Sequence, residues 1–265
     1  MLALAGAFAG VSVVAQHLTP LCWTGFVLAV DGFLARRGAS WLRSRPREFA
    51  LMALISIPSW LLFELYDRPR FWDPAGPELW WHYGGLPPWP WRGVGYAWSF
   101  ATITPALLLL AELLEPAARR VVGSGVGGRV PKELDRLLVA VGAVLAVFPL
   151  LWPSPYFAAD VWLAWPLALD PLNHLRGRPS LLGDLEVGRR SRPVALMASG
   201  FLCGLLWEAW NFPASARWHY TVPFAGDLKL FEMPVLGFLG FVPFALAAFA
   251  LYHFLRALLP GPAPR

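Results

Sequence analysis

Charged residues and cysteine are both scarce in this sequence. Asp, Glu, Lys and Arg make up 15% of its 265 residues, whereas a soluble domain averages about 25%. Hydrophobic residues make up 57% and the mean hydropathy is +0.51. This balance argues against a soluble domain and predicts a polytopic membrane protein. The two cysteines, Cys22 and Cys203, lie in apolar runs, which excludes a disulfide framework or a thiolate metal site.

Other signals are missing as well. No Lys or Arg precedes Arg36, so the basic start of a cleavable signal peptide is absent and we expect a first membrane helix there. The glycine-rich residues 123–128 lack the Lys-Ser/Thr ending of a phosphate loop, and no strand precedes them. They therefore predict a flexible linker. The net charge of +5 comes from basic residues confined to particular loops, so we predict no nucleic-acid partner.

What the sequence does contain is one pattern that occurs twice. In each copy an apolar run ends in a glutamate, an Asp or Asn follows three residues later, and an aromatic loop then contains Trp-His-Tyr. The matching residues are Glu64, Asp67, Trp81, His82 and Tyr83 in the first copy and Glu208, Asn211, Trp218, His219 and Tyr220 in the second. The offset is 144 residues at the glutamate and 137 at the tripeptide. Such a match predicts an internal repeat.

The apolar runs predict an all-α fold, a polytopic integral membrane helix bundle of about eight membrane segments arranged as two parallel four-segment repeats. The runs cover residues 2–16, 21–35, 49–66, 93–114, 137–151, 157–169, 194–210 and 235–255. The first repeat would comprise residues 1–115, a cytoplasmic Gly/Arg-rich linker residues 116–136, and the second repeat residues 137–265. Segments one, two, five and six are short, so full spans and re-entrant hairpins both remain open.

The distribution of basic residues predicts the orientation. With eight crossings, 17 of the 22 Lys and Arg residues fall on one side of the membrane, as the positive-inside rule expects for the cytoplasm. We therefore expect an integral protein of a bacterial inner (plasma) membrane with both termini cytoplasmic. An even number of crossings per repeat makes the repeats parallel, so both aromatic loops should face the same, non-cytoplasmic side.

Glu64 and Glu208 are the first candidates for chemistry. A carboxyl group among Leu, Phe and Trp is costly unless it is paired, bonded or protonated, and the protonated form suits a general acid. We predict catalytic roles for both glutamates, with His82 and His219 as their proton-accepting partners. The structural alternative is that the glutamates, with Asp67 and Asn211, only anchor the loops that follow.

The remaining candidates are binding residues. An outer-face pocket would use Asp67, Asn211, Trp81, Tyr83, Trp218, Tyr220, Phe231 and Glu232, because aromatic rings offer apolar faces and Trp or Tyr adds a donor. No local His spacing predicts a metal site, and the sequence leaves any cofactor unknown. Elsewhere, Asp31 and Asp170 should pair with arginines of the loops they precede, and Gly200 and Gly204 should permit close helix packing.

The order of apolar helix, polar aromatic loop and next helix, repeated in tandem, resembles small membrane lycopene-cyclase domains. Those domains carry a Pro-x-Glu-Glu motif at a helix start. Here the positions after the aromatic loops are Pro90-Trp91-Arg92-Gly93 and Glu232-Met233-Pro234-Val235. The motif is absent, so no residue role is transferred from the resemblance.

Three functional classes follow. The first is an enzyme that acts on an apolar lipid or isoprenoid by acid/base chemistry in the outer-face pocket. The second is a transporter or carrier with its site at the repeat interface. The third is a non-catalytic lipid-binding or scaffold protein. All three take membrane lipid as a partner and allow an apolar small-molecule ligand. The oligomeric state is not predicted.

Overall fold

The computed structural model describes residue 6 and residues 11–68, 78–223, 226 and 228–261. This part of the chain is mostly helical. Its α-helices are α1 (Ser12–Gln16), α2 (Leu18–Ala35), α3 (Trp41–Ser44), α4 (Pro46–Asp67), α5 (Trp91–Val122), α6 (Lys132–Leu151), α7 (Ala158–Leu175), α8 (Leu181–Glu186), α9 (Ser191–Asn211) and α10 (Phe241–Arg256). The short strands are β1 (Trp81–Gly84), β2 (Arg217–Tyr220), β3 (Lys229–Leu230) and β4 (Met233–Pro234), and 3₁₀ turns cover Pro155–Phe157 and Val235–Gly240.

Six helical segments within the described residues are long and apolar enough to cross a membrane. They are Leu18–Ala35, Pro46–Asp67, Trp91–Val122, Lys132–Leu151, Ser191–Asn211 and Val235–Arg256. The chain is therefore a helical membrane protein, as its composition predicts.

Two of the eight predicted segments are not among these six. The predicted segment 2–16 lies largely outside the described residues. The predicted segment 157–169 falls in α7, which is 18 residues long but carries Asp160, Asp170 and Asn173 in addition to its apolar residues. Helix α7 nevertheless packs along α6 and α10 as part of the bundle.

Helix α5 is the central element, and it contacts α2, α4, α9 and α10. Pro105 lies inside it, and a proline there disturbs the helical hydrogen bonds. Ser56 of α4 compensates, because its hydroxyl donates to the carbonyl oxygen of Phe100 at 2.5 Å and accepts from the N–H of Thr104 at 3.0 Å. A neighbouring helix thus satisfies the backbone groups that the proline leaves open, as membrane helices require.

Gly200 and Gly204 pack as the sequence predicts. A Cβ atom at Gly200 would lie 2.2 Å from the carbonyl oxygen of Phe241, and one at Gly204 would lie 2.4 Å from the ring of the same residue. Helices α9 and α10 therefore approach each other more closely than any larger residue at these two positions would allow.

Asp31 and Asp170 have a different role from the predicted one. The carboxylate of Asp31 accepts from the N–H of Trp41 and from the hydroxyl of Ser40, both at 2.7 Å. The carboxylate of Asp170 accepts from the N–H of Leu181 at 2.7 Å. The predicted pairing with arginine is wrong, because each aspartate instead binds the free N–H groups at the start of the next short helix.

The predicted linker is shorter and more ordered than expected. Helix α5 extends to Val122 and α6 begins at Lys132, so only residues 123–131 lie between helices. Gly125 donates its N–H to the carbonyl of Gly188 at 3.0 Å, and Val130 donates its N–H to Glu186 at 2.6 Å. The connection therefore packs against the basic loop before α9.

Candidate functional site

The two Trp-His-Tyr tripeptides form one antiparallel ribbon. Strand β1 pairs with β2 so that Trp81 lies opposite Tyr220, His82 opposite His219, and Tyr83 opposite Trp218. Side chains alternate between the two faces of a strand. Trp81, Tyr83, Trp218 and Tyr220 therefore share one face, and the two histidines share the other. The ribbon brings both aromatic loops together at one end of the bundle.

Gly85 allows the turn that follows β1. Its φ is +64°, and a Cβ atom there would lie 2.0 Å from the carbonyl oxygen of Ser215. Only glycine combines this backbone conformation with so close an approach. Gly85 therefore allows the end of β1 to lie close to Ser215, which leads into β2.

Glu64 lies in the last turn but one of α4 and is bonded to aromatic donors. Its Oε1 accepts from the Nε1–H of Trp60 at 2.6 Å and from the hydroxyl of Tyr83 at 2.5 Å. Trp60 is placed by helical spacing, because it lies four residues before Glu64 on the same face. Tyr83 is placed by the ribbon.

Glu208 repeats this arrangement at the end of α9 and is fully buried. Its Oε1 accepts from the hydroxyl of Tyr220 at 2.8 Å and from the Nε1–H of Trp218 at 3.3 Å. Its Oε2 makes no hydrogen bond of ordinary geometry to another described residue, and the backbone N–H of Glu232 lies beside it. In both copies the tyrosine of the tripeptide, not the histidine, binds the carboxyl group.

Burial keeps both tyrosines neutral. It raises the pKa of Tyr83 and of Tyr220 well above the usual value, and the adjacent carboxyl groups of Glu64 and Glu208 raise each pKa further. Both effects raise the pKa, because a phenolate would lose its hydration on burial and would be repelled by the neighbouring carboxylate. Each tyrosine therefore keeps its hydroxyl proton throughout the physiological pH range.

Asp67 and Asn211 bind the loop backbones. Asp67 accepts from the N–H groups of Trp80 at 2.7 Å and Trp81 at 3.0 Å. Asn211 accepts from the N–H of Trp218 at 3.0 Å and donates to the carbonyl of the same residue at 2.8 Å. Both side chains are buried and hold the start of a strand at the end of a helix. Their predicted contact with a substrate stays a prediction.

The histidines lie away from the glutamates. The rings of His82 and His219 stack at a centroid distance of 5.4 Å. Nδ1 of His219 is 3.2 Å from the carboxylate of Glu232, which also lies 3.9 Å from Arg217. We expected each histidine to partner the glutamate of its own copy. Instead the alternation of the strands turns both histidines to the opposite face of the ribbon.

An apolar cavity of about 350 Å³ opens beneath the ribbon. Its wall contains ten aromatic side chains and no charged residue among the described ones. The aromatic residues are Trp60, Trp80, Trp81, Tyr83, Trp162, Trp207, Trp218, Tyr220, Phe241 and Phe244. Four of the eight predicted pocket residues line it, namely Trp81, Tyr83, Trp218 and Tyr220. Phe231 packs on Phe212 instead, and Glu232 pairs with His219.

Several residues of the cavity were not predicted. Trp60, Trp162 and Trp207 come from α4, α7 and α9, and Phe241 and Phe244 from the start of α10. Their rings contact one another, with Trp60 5.2 Å from Trp207 and Trp162 5.4 Å from Phe244. One signal in the sequence could have found Trp60, since it precedes Glu64 by one helical turn. Trp162 gives no comparable signal, because only the packing of α7 on α10 brings it to the cavity.

No protein-family model, no curated protein and no solved structure matches this chain. Within the described residues, no group of three or more His, Cys, Asp or Glu side chains is placed to hold a metal ion. The site presents two carboxyl–tyrosine pairs beside an aromatic cavity.

Proposed function

We propose that this protein is a membrane enzyme that binds an apolar lipid or isoprenoid in the aromatic cavity and acts on it by acid/base chemistry. One observation carries the proposal: Tyr83 and Tyr220 line the cavity while their hydroxyl groups bind the half-buried Glu64 and the fully buried Glu208. A cavity of about 350 Å³ is within the range of small-molecule sites, about 300–1,000 Å³.

The lining supports an apolar ligand. A charged headgroup would find no partner among the described wall residues, whereas a hydrocarbon would contact rings on every side. Leu163, Leu236 and Leu239 belong to the same lining and are largely exposed at the outside of the bundle. These residues would contact lipid, so a ligand dissolved in the membrane has an apolar entrance.

The paired tyrosines support a proton-transfer role. A protonated Glu208 can pass its proton to the Tyr220 oxygen while the tyrosine hydroxyl proton moves to a carbon–carbon double bond of the ligand. The positive charge that then develops on the adjacent carbon would lie among indole rings, whose faces attract cations. Glu64 and Tyr83 form an equivalent pair, with Tyr83 on the other strand of the ribbon.

The similar environments of the paired residues support the internal repeat. Glu64 and Glu208, Asp67 and Asn211, and Asp31 and Asp170 each make matching contacts. We therefore infer two parallel four-segment repeats, residues 1–115 and 137–265, in a bacterial inner membrane with both termini cytoplasmic. A carrier with its site at the repeat interface is the second candidate, because the cavity lies where the two halves meet.

The test compares Glu208→Gln and Tyr220→Phe with the matched variants Glu64→Gln and Tyr83→Phe. Gln keeps a carbonyl acceptor for the tyrosine hydroxyl but cannot supply a proton. The purified protein in liposomes would be incubated with a total lipid extract of its host, and lipids analysed by mass spectrometry before and after. We expect a converted lipid with wild type and a loss of conversion of about 10²–10⁴-fold in at least one glutamate variant.

The second readout is whether each purified variant retains a bound lipid. If a Gln variant still retains the lipid but does not convert it, the glutamate acts in the reaction. If wild type retains a lipid without converting it, the binding or carrier function replaces the enzyme. If all four variants convert lipid as wild type does, the carboxyl–tyrosine pairs only anchor the ribbon and the proposal is wrong.

A further inference from the structure

A second cavity, of about 250 Å³, lies at the end of the bundle remote from the ribbon. It is bounded by residues 108–115 of α5, by the last turns of α10, by the start of α9 and the residue Arg189 before it, and by Trp41 of α3 with Arg45. Most basic residues of the predicted cytoplasmic side belong to this end. The aromatic cavity and its glutamates play no part in it.

Three guanidinium groups meet in this cavity, those of Arg45, Arg189 and Arg192. Arg45 lies over the ring of Trp41, with its central carbon 4.0 Å from the ring centroid. A guanidinium group held over an aromatic ring can still form hydrogen bonds through its N–H groups. Arg192 comes from the first turn of α9 and lies over the ring of Phe249 at 5.8 Å.

The two carboxylates in the lining are already engaged. Glu112 accepts from Nε1 of Trp41 at 2.6 Å and lies 3.5 Å from Arg45. Glu115 accepts from Nε of Arg189 and from the hydroxyl of Ser191, both at 3.0 Å. Each guanidinium carries five N–H donors. Asp184 is a third carboxylate, 3.2 Å from Arg192 and 3.8 Å from Arg189, and the contacts among the described residues use only some of the N–H donors of the three guanidinium groups.

His253 supplies an independent sign of a ligand. It lines the cavity, is only 9% exposed, and its Nδ1 has no hydrogen-bond partner within the described residues. Its ring is fixed against Phe249 and Tyr252, at centroid distances of 4.4 and 5.0 Å. A buried polar nitrogen without a partner is costly, and in the tautomer with its hydrogen on Nδ1 the ring could donate to a bound acceptor, which would remove that cost.

We propose that this cavity binds a phosphate group. Phosphate offers several acceptor oxygens in different directions, which suits three guanidinium groups and one imidazole that come from different elements. Leu108, Leu196 and Phe249 give the same cavity an apolar floor. The shared chemistry is a phosphate ester, and its source is either the headgroup of a membrane phospholipid or a soluble phosphate compound.

The test uses the full chain purified in a maltoside detergent. The probes are phosphatidic acid, diacylglycerol with the same acyl chains, and inorganic phosphate. The readouts are the shift in Tm and native mass spectrometry. We expect phosphatidic acid to raise Tm while diacylglycerol does not. If inorganic phosphate raises Tm equally, the ligand is a soluble phosphate compound and not a lipid.

Two variants and one control assign the effect to the cavity. His253→Phe keeps the ring packing and removes the nitrogen, and Arg192→Gln removes one guanidinium. Both should weaken phosphate binding about tenfold or more, the value of one hydrogen bond to a charged group. Arg43→Gln is the matched control, because Arg43 is exposed in α3, two residues before Arg45. Equal loss in Arg43→Gln and His253→Phe, or no shift with either phosphate probe, would overturn the proposal.

Discussion

At the scale of the residue, Asp67 and Asn211 show that one structural task can be met by two side chains. Both accept the N–H at the start of a strand, and the tripeptides that follow then pair. The charge of Asp67 is therefore not needed for the contact. A carboxylate or an amide oxygen serves equally well if it reaches the same backbone.

This equivalence gives a prediction for Asp67. Asp67→Ala should lower the free energy of unfolding by about 2–4 kcal/mol, because two buried N–H groups lose their acceptor. Asp67→Asn should cost less than about 1 kcal/mol, since Asn211 does the same in the second copy. Thermal unfolding of both variants in detergent measures the difference. If the two substitutions destabilise equally, the charge itself matters and the equivalence fails.

The sequence predicted which residues belong to the site better than it predicted their hydrogen-bond partners. Each glutamate does bind an aromatic residue of its own copy, and Trp81, Tyr83, Trp218 and Tyr220 do line a cavity. The histidine partners were misplaced because the aromatic loops were not recognised as strands, whose alternation sends the middle residue to the opposite face. The N–H groups that donate to Asp31 and Asp170 lie about ten residues further along the chain, and no local pattern indicates that distance.

At the scale of the element, the ribbon depends on Gly85. Gly85→Ala should destabilise the protein by about 2 kcal/mol or more, because a side chain is strained at a φ of +64° and its Cβ would meet the carbonyl of Ser215. Gly84→Ala is the control, since a Cβ there would make only ordinary contact with His219 at 3.7 Å. Comparison of their Tm values tests the claim. Equal Tm values would show that the backbone near Gly85 can shift to accommodate a Cβ atom without loss of stability.

The helices themselves were the most predictable elements, because long apolar runs dictate helical spans in a membrane. The irregular connections were the least predictable. Residues 123–131 have the composition of a flexible linker, yet they pack against the loop at Gly188. Composition reports the conformational freedom of an isolated segment, and it carries no information on a distant loop that supplies hydrogen bonds.

At the scale of the whole molecule, the orientation in the membrane can be tested with single cysteines. Val126 is 94% exposed in the linker and Leu228 is 68% exposed near the ribbon end. In a background without Cys22 and Cys203, an impermeant thiol reagent added outside intact cells should label Leu228→Cys and not Val126→Cys. Lysed cells, where both should react, provide the control. The opposite labelling pattern would reverse the predicted topology.

The ribbon has a consequence for how such a molecule could have begun. Each half of the chain contributes one strand, and a lone strand would expose unpaired backbone groups and half of the cavity wall. If one gene for a four-segment unit preceded the duplication, its product could complete the ribbon only by meeting a second copy of itself around a twofold axis. The present chain would then correspond to a fused homodimer, and its connecting segment would replace a concentration-dependent encounter with a permanent tether. Such a fusion would also let the two copies diverge, as in the difference between Asp67 and Asn211.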